Sequence, residues 1–190
     1  MTSGTLKTAG LLAMASAFLT LPLVYLSYLL EGMIDSYAAV IQTIIQISGT
    51  VLFVAIVLYL KRLLNSHFNF HNTDRNIALM IIASIVTGVL SIAALYYLPL
   101  KESFGTVVIV ILVALGIVQV QFGYKLLKLP NDLGRMLKPF CYANMATGIL
   151  LASVVLIPLS ILASAISDLM LGTIFFHMSR LAREDALKSE

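Results

Sequence analysis

Apolar residues fall in six long stretches along this chain, and short polar segments separate them. A helix of roughly 20 apolar residues crosses the hydrocarbon core of a bilayer. The pattern therefore predicts an all-α fold, an integral membrane helical bundle with six transmembrane helices. We place these helices at residues 9–30, 36–60, 76–98, 104–127, 139–163 and 167–181.

Two of the polar segments, 31–35 and 101–103, are very short. Short connections force consecutive helices to pack side by side and antiparallel. We therefore expect a single membrane domain over residues 1–190 that is built from three antiparallel hairpins. The hairpins cover about 9–60, 76–127 and 139–181, and a helical cytoplasmic tail follows at 182–190.

The last two helices share residues 139–181, and two boundaries between them fit the sequence. One boundary places the turn at 158–160. The other lets the proline of this segment kink helix 5 and places the turn at 164–168, where Ser167 or Asp168 would cap helix 6. We favour the second boundary, because it keeps the Asp168 carboxylate at the membrane surface and out of hydrocarbon.

The positive charges predict the orientation. Eleven of the twelve Lys and Arg residues lie at one end of the predicted bundle, and only Lys101 lies at the other. Because Lys and Arg are enriched in cytoplasmic loops, we expect both termini in the cytoplasm. The inner (plasma) membrane of a prokaryote is the expected location. The eleven residues are Lys7, Lys61, Arg62, Arg75, Lys125, Lys128, Arg135, Lys138, Arg180, Arg183 and Lys188.

Composition supports a membrane protein and argues against a nucleic-acid partner. Hydrophobic residues make up 60% of the chain and charged residues 11%, whereas a soluble domain is about 25% charged. The lipid bilayer is therefore the expected partner. The net charge of +3 is spread over several loops, so we expect no nucleic acid to bind. Cys141 is the single cysteine, which excludes an internal disulfide.

The hairpins resemble one another weakly. A shift of 67 residues aligns the first two without a gap and superposes Gly49 on Gly116 and Lys61 on Lys128. In the third hairpin, the sequence from Thr147 to Leu150 resembles the sequence from Thr87 to Leu90. These matches suggest a parallel hairpin repeat, although similar matches arise easily by chance in apolar sequence.

Polar side chains on helices 2 and 4 are the first candidates for function. Gln42 and Gln46 are spaced four residues apart and share one face of helix 2, and Thr50 follows them. Gln119 and Gln121 lie on helix 4 and point in different directions. Amides in hydrocarbon are costly unless they are paired. These residues line a polar solute path, or they form hydrogen bonds between helices, which is the commoner use of such side chains.

Asp168 is the acidic residue that we expect nearest to the membrane interior. A carboxylate inside the membrane is a functional candidate by default, but the favoured turn makes Asp168 a helix cap. No other predicted span holds an acidic residue. Ion-coupled transporters usually need buried carboxylates, so this pattern argues against proton- or sodium-coupled transport.

The two cytoplasmic loops offer weaker candidates. His67, His71 and Asp74 would share a face on a helix and could hold a metal ion. However, the four asparagines at 65–76 argue against a regular helix, so we expect a solvated loop without metal. The basic side chains around the second loop are candidates for contacts with anionic lipid. They are Lys125, Lys128, Arg135 and Lys138.

No motif in the sequence carries recognisable chemistry. It contains no P-loop, no nucleotide-binding glycine pattern, no zinc-protease motif and no nucleophile elbow. We therefore expect a non-enzymatic protein without a cofactor. It would be an accessory or assembly subunit, or a homo-oligomeric bundle, with a membrane protein or a second copy as partner. The alternative is a small channel or uncoupled transporter. A third hypothesis is an enzyme or cofactor carrier that acts near His177 or the loop at 67–74.

Overall fold

The computed structural model describes residues 1–31, 36–97, 99, 101–130, 133 and 135–188, and it describes their side chains except at 31, 36 and 185–188. Asp35, Asn131, Asp132 and the side chains of Glu31 and Lys188 therefore lie outside the described part. Six helices make up that part. They are α1 (Ser3–Glu31), α2 (Ser36–Phe68), α3 (Asp74–Tyr96), α4 (Lys101–Leu126), α5 (Leu137–Ala152) and α6 (Ile157–Lys188).

These helices confirm the predicted all-α bundle, and they form a closed ring. In the described part each helix packs against its neighbours in the chain, and α6 packs against α1 to close the ring. Ser3 and Ser179 join the start of α1 to the end of α6, because each hydroxyl donates to the other residue's carbonyl oxygen at 3.0 and 2.9 Å. This end of the ring also holds the α2–α3 and α4–α5 loops, and we call it the basic end. We call the opposite end the far end.

Five of the described helices are long and apolar enough to cross a membrane, and α5 is the exception. Helix α5 has 16 residues and is about 24 Å long, while the hydrocarbon core is about 30 Å thick. The prediction that helix 5 extends over 139–163 is therefore wrong at its far end. Helix α6, by contrast, continues to Lys188.

The connection between α5 and α6 lies at 153–156, so the favoured turn at 164–168 is wrong. The structure is closer to the alternative turn at 158–160. Pro158 lies in the first turn of α6, where its missing N–H costs nothing because that donor would have no partner within the helix. Asp168 consequently lies eleven residues into α6 and does not cap it.

The backbone N–H groups of the α5–α6 turn have hydrogen-bond partners close by in the chain. Its amide N–H groups donate to nearby carbonyl oxygens, and the N–H of Leu156 donates to the Ser153 hydroxyl at 3.3 Å. Val154 adopts a φ of 60°, which is unusual for a β-branched residue. A turn without unpaired amide donors can lie within the apolar part of a membrane.

Glycines allow two pairs of helices to approach closely. On α4 and α5, a Cβ atom added to Gly116 would lie 2.5 Å from the carbonyl oxygen of Gly148. A Cβ atom added to Gly148 would likewise lie 2.5 Å from the carbonyl oxygen of Gly116. On α1 and α6, a Cβ atom on Gly10 would lie 3.1 Å from the ring of Phe176. Such close backbone approach at small residues is typical of membrane helix pairs.

The proposed hairpin repeat does not extend to these contacts. Gly49, which aligns with Gly116 under the 67-residue shift, has nothing within 4 Å of an added Cβ atom. The two glycines therefore have different surroundings, and the repeat remains a prediction.

Buried side chains are concentrated in the basic half of the ring. The apolar cluster there includes Leu63, Leu64, Leu126, Leu133 and Phe175, each of which is at most 1% exposed. We call these five residues the apolar plug. In the far half, Leu30, Ala38 and Ser160 are buried, but long parts of α1 to α4 contain no buried residue among those described. These parts are 18–29, 39–55, 89–97 and 101–115, and the segment 149–159 around the α5–α6 turn contains none either.

The far half of the ring is packed less closely than the basic half. Residues 39–55 of α2 make almost five helical turns and so include positions on every side of the helix, yet none of them is buried. Neighbouring helices still touch there: Gln42 Nε2 donates to the carbonyl oxygen of Ser27 at 3.4 Å, and Thr43 and Tyr96 share a hydrogen bond. We call this loosely packed half of the ring the funnel.

Candidate functional site

A cavity of about 40 Å³ lies inside the ring, above the apolar plug. Side chains from five helices, α2 to α6, line it. Most of the wall is apolar and includes Phe53, Phe122 and Phe140. We call it the central cavity. Its polar lining residues are Gln119, Asn144, Ser164, Ser167 and Asp168.

Asp168 is the one acidic residue in that lining. It lies on α6, about 16 Å along the helix from its first residue, and within the part of α6 that can span a membrane. The hydroxyl of Ser16 on α1 donates to Asp168 Oδ2 at 2.8 Å. The sequence analysis expected this carboxylate at the membrane surface, but the register of α6 places it inside.

Two amide oxygens at the central cavity have no hydrogen-bond partner in the described part of the chain. They are Oε1 of Gln119 on α4 and Oδ1 of Asn144 on α5, and both atoms are buried. Asn144 as a whole is only 8% exposed. Buried polar atoms nearly always have a partner, so unpaired ones in a cavity indicate a water, an ion or another ligand.

The charged lining of the central cavity has one sign only among the described residues, which is negative. Its lining combines a carboxylate, two amide oxygens and hydroxyl groups, and no Lys, Arg or His is among the described residues that line it. All of these oxygen atoms are hydrogen-bond acceptors and hard ligands. The site therefore attracts a cation or a hydrogen-bond donor and repels anions.

The two sides of the central cavity differ in packing. Ile56, Leu60 and Phe122 are lining residues that belong to the closely packed basic half, and each is at most 3% exposed. Ser164 and Phe53 are lining residues that lie toward the far end and are half-buried. The cavity thus lies between the apolar plug and the funnel.

The glutamines of α2 do not reach the central cavity. Gln42 bonds to α1 through the carbonyl oxygen of Ser27, and Gln46 and Thr50 face Gly88 of α3. A Cβ atom added to Gly88 would lie 2.9 Å from the Thr50 hydroxyl oxygen. Gln42 therefore forms a hydrogen bond between helices, whereas the Thr50 hydroxyl donates to the Gln46 carbonyl oxygen of its own helix at 2.9 Å.

The two glutamines of α4 have different surroundings, as their spacing indicates. Gln119 lines the central cavity, whereas Gln121 is exposed on the outside of the ring. The pair therefore offers a matched comparison between an inward and an outward amide on the same helix.

The loop between α2 and α3 holds a polar network around Asp74. This carboxylate accepts hydrogen bonds from Asn65 Nδ2 at 3.0 Å, lies 3.2 Å from His71 Nδ1, and is 3.9 Å from Lys61 Nζ. His67 lies on the last turn of α2 and packs edge-on against Phe68. Among the described residues, no three His, Cys, Asp or Glu side chains form a group that could hold a metal ion.

The four basic residues in and beside the α4–α5 loop differ in their surroundings. Lys125 points into the bundle, where its Nζ donates to Oδ1 of Asn76 at 2.7 Å, and Asn76 is 2% exposed. Lys128 lies over the ring of Tyr124 at 5.0 Å. Arg135 and Lys138 are exposed. His177 on α6 is also exposed.

The sequence analysis missed Asn144 and Ser16. Asn144 is the single amide of α5 and stands among apolar residues, which is the same signal that singled out Gln119. Ser16 carries no such signal, since hydroxyls are common in membrane helices and bond within their own helix.

A scan against protein-family models found no match, and searches of curated proteins and of solved structures found none either.

Proposed function

We propose that this chain is a small, non-enzymatic membrane transport protein whose solute path follows the axis of the helix ring. The central cavity carries the proposal, because it presents unpaired oxygen atoms of Gln119 and Asn144 inside a membrane bundle. Polar atoms of this kind are costly in an apolar interior unless a ligand or water satisfies them.

The shape of the ring supports the same function. The loosely packed funnel lies on the far side of the cavity, and the apolar plug lies on its basic side. Alternating-access transporters hold their substrate near the membrane centre and open to one side at a time. In this interpretation the structure corresponds to the state that is open to the far end.

The positive-inside rule supports a cytoplasmic basic end, with both termini in the cytoplasm. The funnel would then open to the outside of the cell. We propose the inner membrane of a prokaryote as the location, on the basis of the small size of the chain and its short loops.

A second candidate function is association with another membrane protein or a second copy, as an accessory or assembly subunit. The contacts of Gln42, Gln46 and Thr50 favour it, because the polar face of α2 takes part in helix packing and does not line a path. Purification from native membranes under mild conditions distinguishes the two functions, since a stable complex with a second protein supports association.

Transport is tested with the purified protein in liposomes. Charge movement and vesicle swelling are followed for a panel of monovalent ions and small neutral solutes, and protein-free liposomes serve as the baseline. We expect flux of at least one solute above that baseline. The variant Gln119→Leu should reduce this flux about tenfold or more, because it removes a polar lining atom. The variant Gln121→Leu should leave it unchanged.

Two results would contradict transport. The first is the absence of flux for every solute tested with correctly folded protein. The second is an equal loss of flux in Gln119→Leu and Gln121→Leu, which would mean that the central cavity has no special role.

A further inference from the structure

We infer that the central cavity is a binding site for a monovalent cation of the size of Na⁺, held by Asp168, Gln119 and Asn144. The inference rests on the proposed function, because it names the ligand of the same cavity. It is nevertheless tested by binding, which does not require flux.

Charge balance is the first argument. An ionised carboxylate in an apolar interior is strongly unfavourable unless an opposite charge accompanies it. The described lining residues of the central cavity include no basic side chain, so the chain itself supplies no such partner there. The Ser16 hydroxyl donates one hydrogen bond to Asp168, but it carries no charge. A bound cation supplies the missing positive charge.

The type of ligand atom is the second argument. Gln119 Oε1 and Asn144 Oδ1 are buried without a partner, and both residues line the same cavity as Asp168. Ser167, which is 5% exposed, adds a hydroxyl oxygen. A set made of carboxylate, amide and hydroxyl oxygens suits a hard cation and does not suit the transition metals that prefer His and Cys.

The charge of the site indicates a monovalent ion. One carboxylate neutralises a single positive charge, whereas calcium sites usually combine several carboxylates. Water alone would satisfy the amides and leave the carboxylate charge unbalanced. A proton on Asp168 together with a water would balance the same groups, and this state corresponds to the outcome in which no Na⁺ binds in the experiment below.

The volume of the cavity agrees with a partly dehydrated ion. A cavity needs about 10–15 Å³ for each water that it holds, so 40 Å³ accommodates a small ion together with one or two waters. Na⁺ leaves more of this space than the larger K⁺ for the waters that complete its coordination shell.

The Ser16 hydrogen bond fixes the carboxylate in place. It occupies Oδ2 of Asp168 from the α1 side, while the same residue lines the central cavity that α2 to α6 surround. Ser16 is thus a positioning residue that orients the ligand and joins α1 to the cation site.

The experiment uses the full chain in lipid nanodiscs, purified in choline buffer. Binding of radioactive Na⁺ is measured as a function of concentration, and K⁺ is the competing ion. We expect saturable binding of one Na⁺ per chain, with K⁺ competing at least tenfold more weakly. The melting temperature should rise with Na⁺ but not with choline, because a ligand that binds only the folded state stabilises it.

Three variants localise the site. Asp168→Asn keeps the shape and the acceptor for Ser16 but removes the charge, so it should weaken Na⁺ binding at least tenfold. Gln119→Leu should also weaken binding, and Gln121→Leu should bind like the parent chain. Gel filtration and circular dichroism check folding. If Asp168→Asn does not fold, the comparison of Gln119→Leu with Gln121→Leu decides.

Several outcomes would overturn the inference. The first two are the absence of saturable Na⁺ binding and unchanged Na⁺ binding in Asp168→Asn. The third is an equal effect of Gln119→Leu and Gln121→Leu on Na⁺ binding. The fourth is equal competition by K⁺, which would contradict the assigned size of the ion. Binding without flux would retain the cation site and contradict transport. Flux of another solute without Na⁺ binding would retain transport and contradict the cation site.

Discussion

Ser16 of α1 donates a 2.8 Å hydrogen bond to the Asp168 carboxylate of α6, at the contact that closes the helix ring. The first and last helices are therefore joined by a polar contact at about the middle of their lengths.

The first prediction concerns this hydrogen bond. Replacing Ser16 with Ala removes the donor and leaves the half-buried carboxylate without it. A hydrogen bond to a charged group contributes about 1.5 to 3 kcal/mol, so we expect the free energy of unfolding to fall by a similar amount. Unfolding in mixed micelles of increasing SDS fraction measures it. Ser48→Ala at an exposed position of α2 is the control, and an equal effect there would contradict the prediction.

A second prediction concerns the contact of α4 with α5. In Gly116→Ala the new methyl group would lie 2.5 Å from the Gly148 carbonyl oxygen, so the helices must separate. Overpacking of this kind costs about 1 to 3 kcal/mol. Gly105→Ala on the same helix meets nothing within 4 Å and should stabilise by up to about 1 kcal/mol.

The same SDS titration compares these two alanine variants. Their effects should have opposite signs. Stabilisation of the same size in both would show that helix propensity, and not close approach, determines the result.

A third prediction separates the two roles considered for the basic residues. Lys125→Met removes the partner of Asn76 Oδ1, which is buried, and should cost about 1 to 3 kcal/mol of stability. Lys128→Met removes an exposed charge and should cost much less. If anionic-lipid contacts dominated at both positions, the two variants would lose the same stability, and only in liposomes that contain anionic lipid.

The fourth prediction tests the funnel. In a chain whose buried Cys141 is replaced by Ala, a cysteine at Ser164 should react with a small water-soluble thiol reagent, because this position lines the cavity and is half-buried. A cysteine at Ser179, which is 8% exposed at the basic end, should react at least about tenfold more slowly. Similar rates would show that the apolar plug does not exclude water.

Helix number and type could be predicted from the sequence because charged segments interrupt the first four apolar stretches clearly. The boundary between α5 and α6 could not. Residues 153–156 read Ser-Val-Val-Leu and contain no charge, glycine or proline, and a turn at a β-branched residue with positive φ has no local sequence signal. The proline at 158 marked the correct region, but the cost of a buried carboxylate favoured the wrong boundary.

That error also displaced the candidate site. Since Asp168 was expected at the surface, the polar positions of α2 and α4 became the main candidates. The spacing of Gln42 and Gln46 does not show that the first side chain contacts α1 and the second lies near Gly88 of α3. Gln119 could be singled out in advance. Its proximity to Asn144 and Asp168 depends on how α4, α5 and α6 pack in the ring, which periodicity alone does not determine.

The short helix α5 has a consequence for the surrounding lipid. A helix of about 24 Å in a hydrocarbon core of about 30 Å leaves a step of about 6 Å at the α5–α6 turn. Lipid tails must shorten or tilt to meet that step, which costs a fraction of a kcal/mol for each ångström of mismatch. The chain should therefore prefer thin bilayers, and its stability in vesicles should decline as acyl chains lengthen.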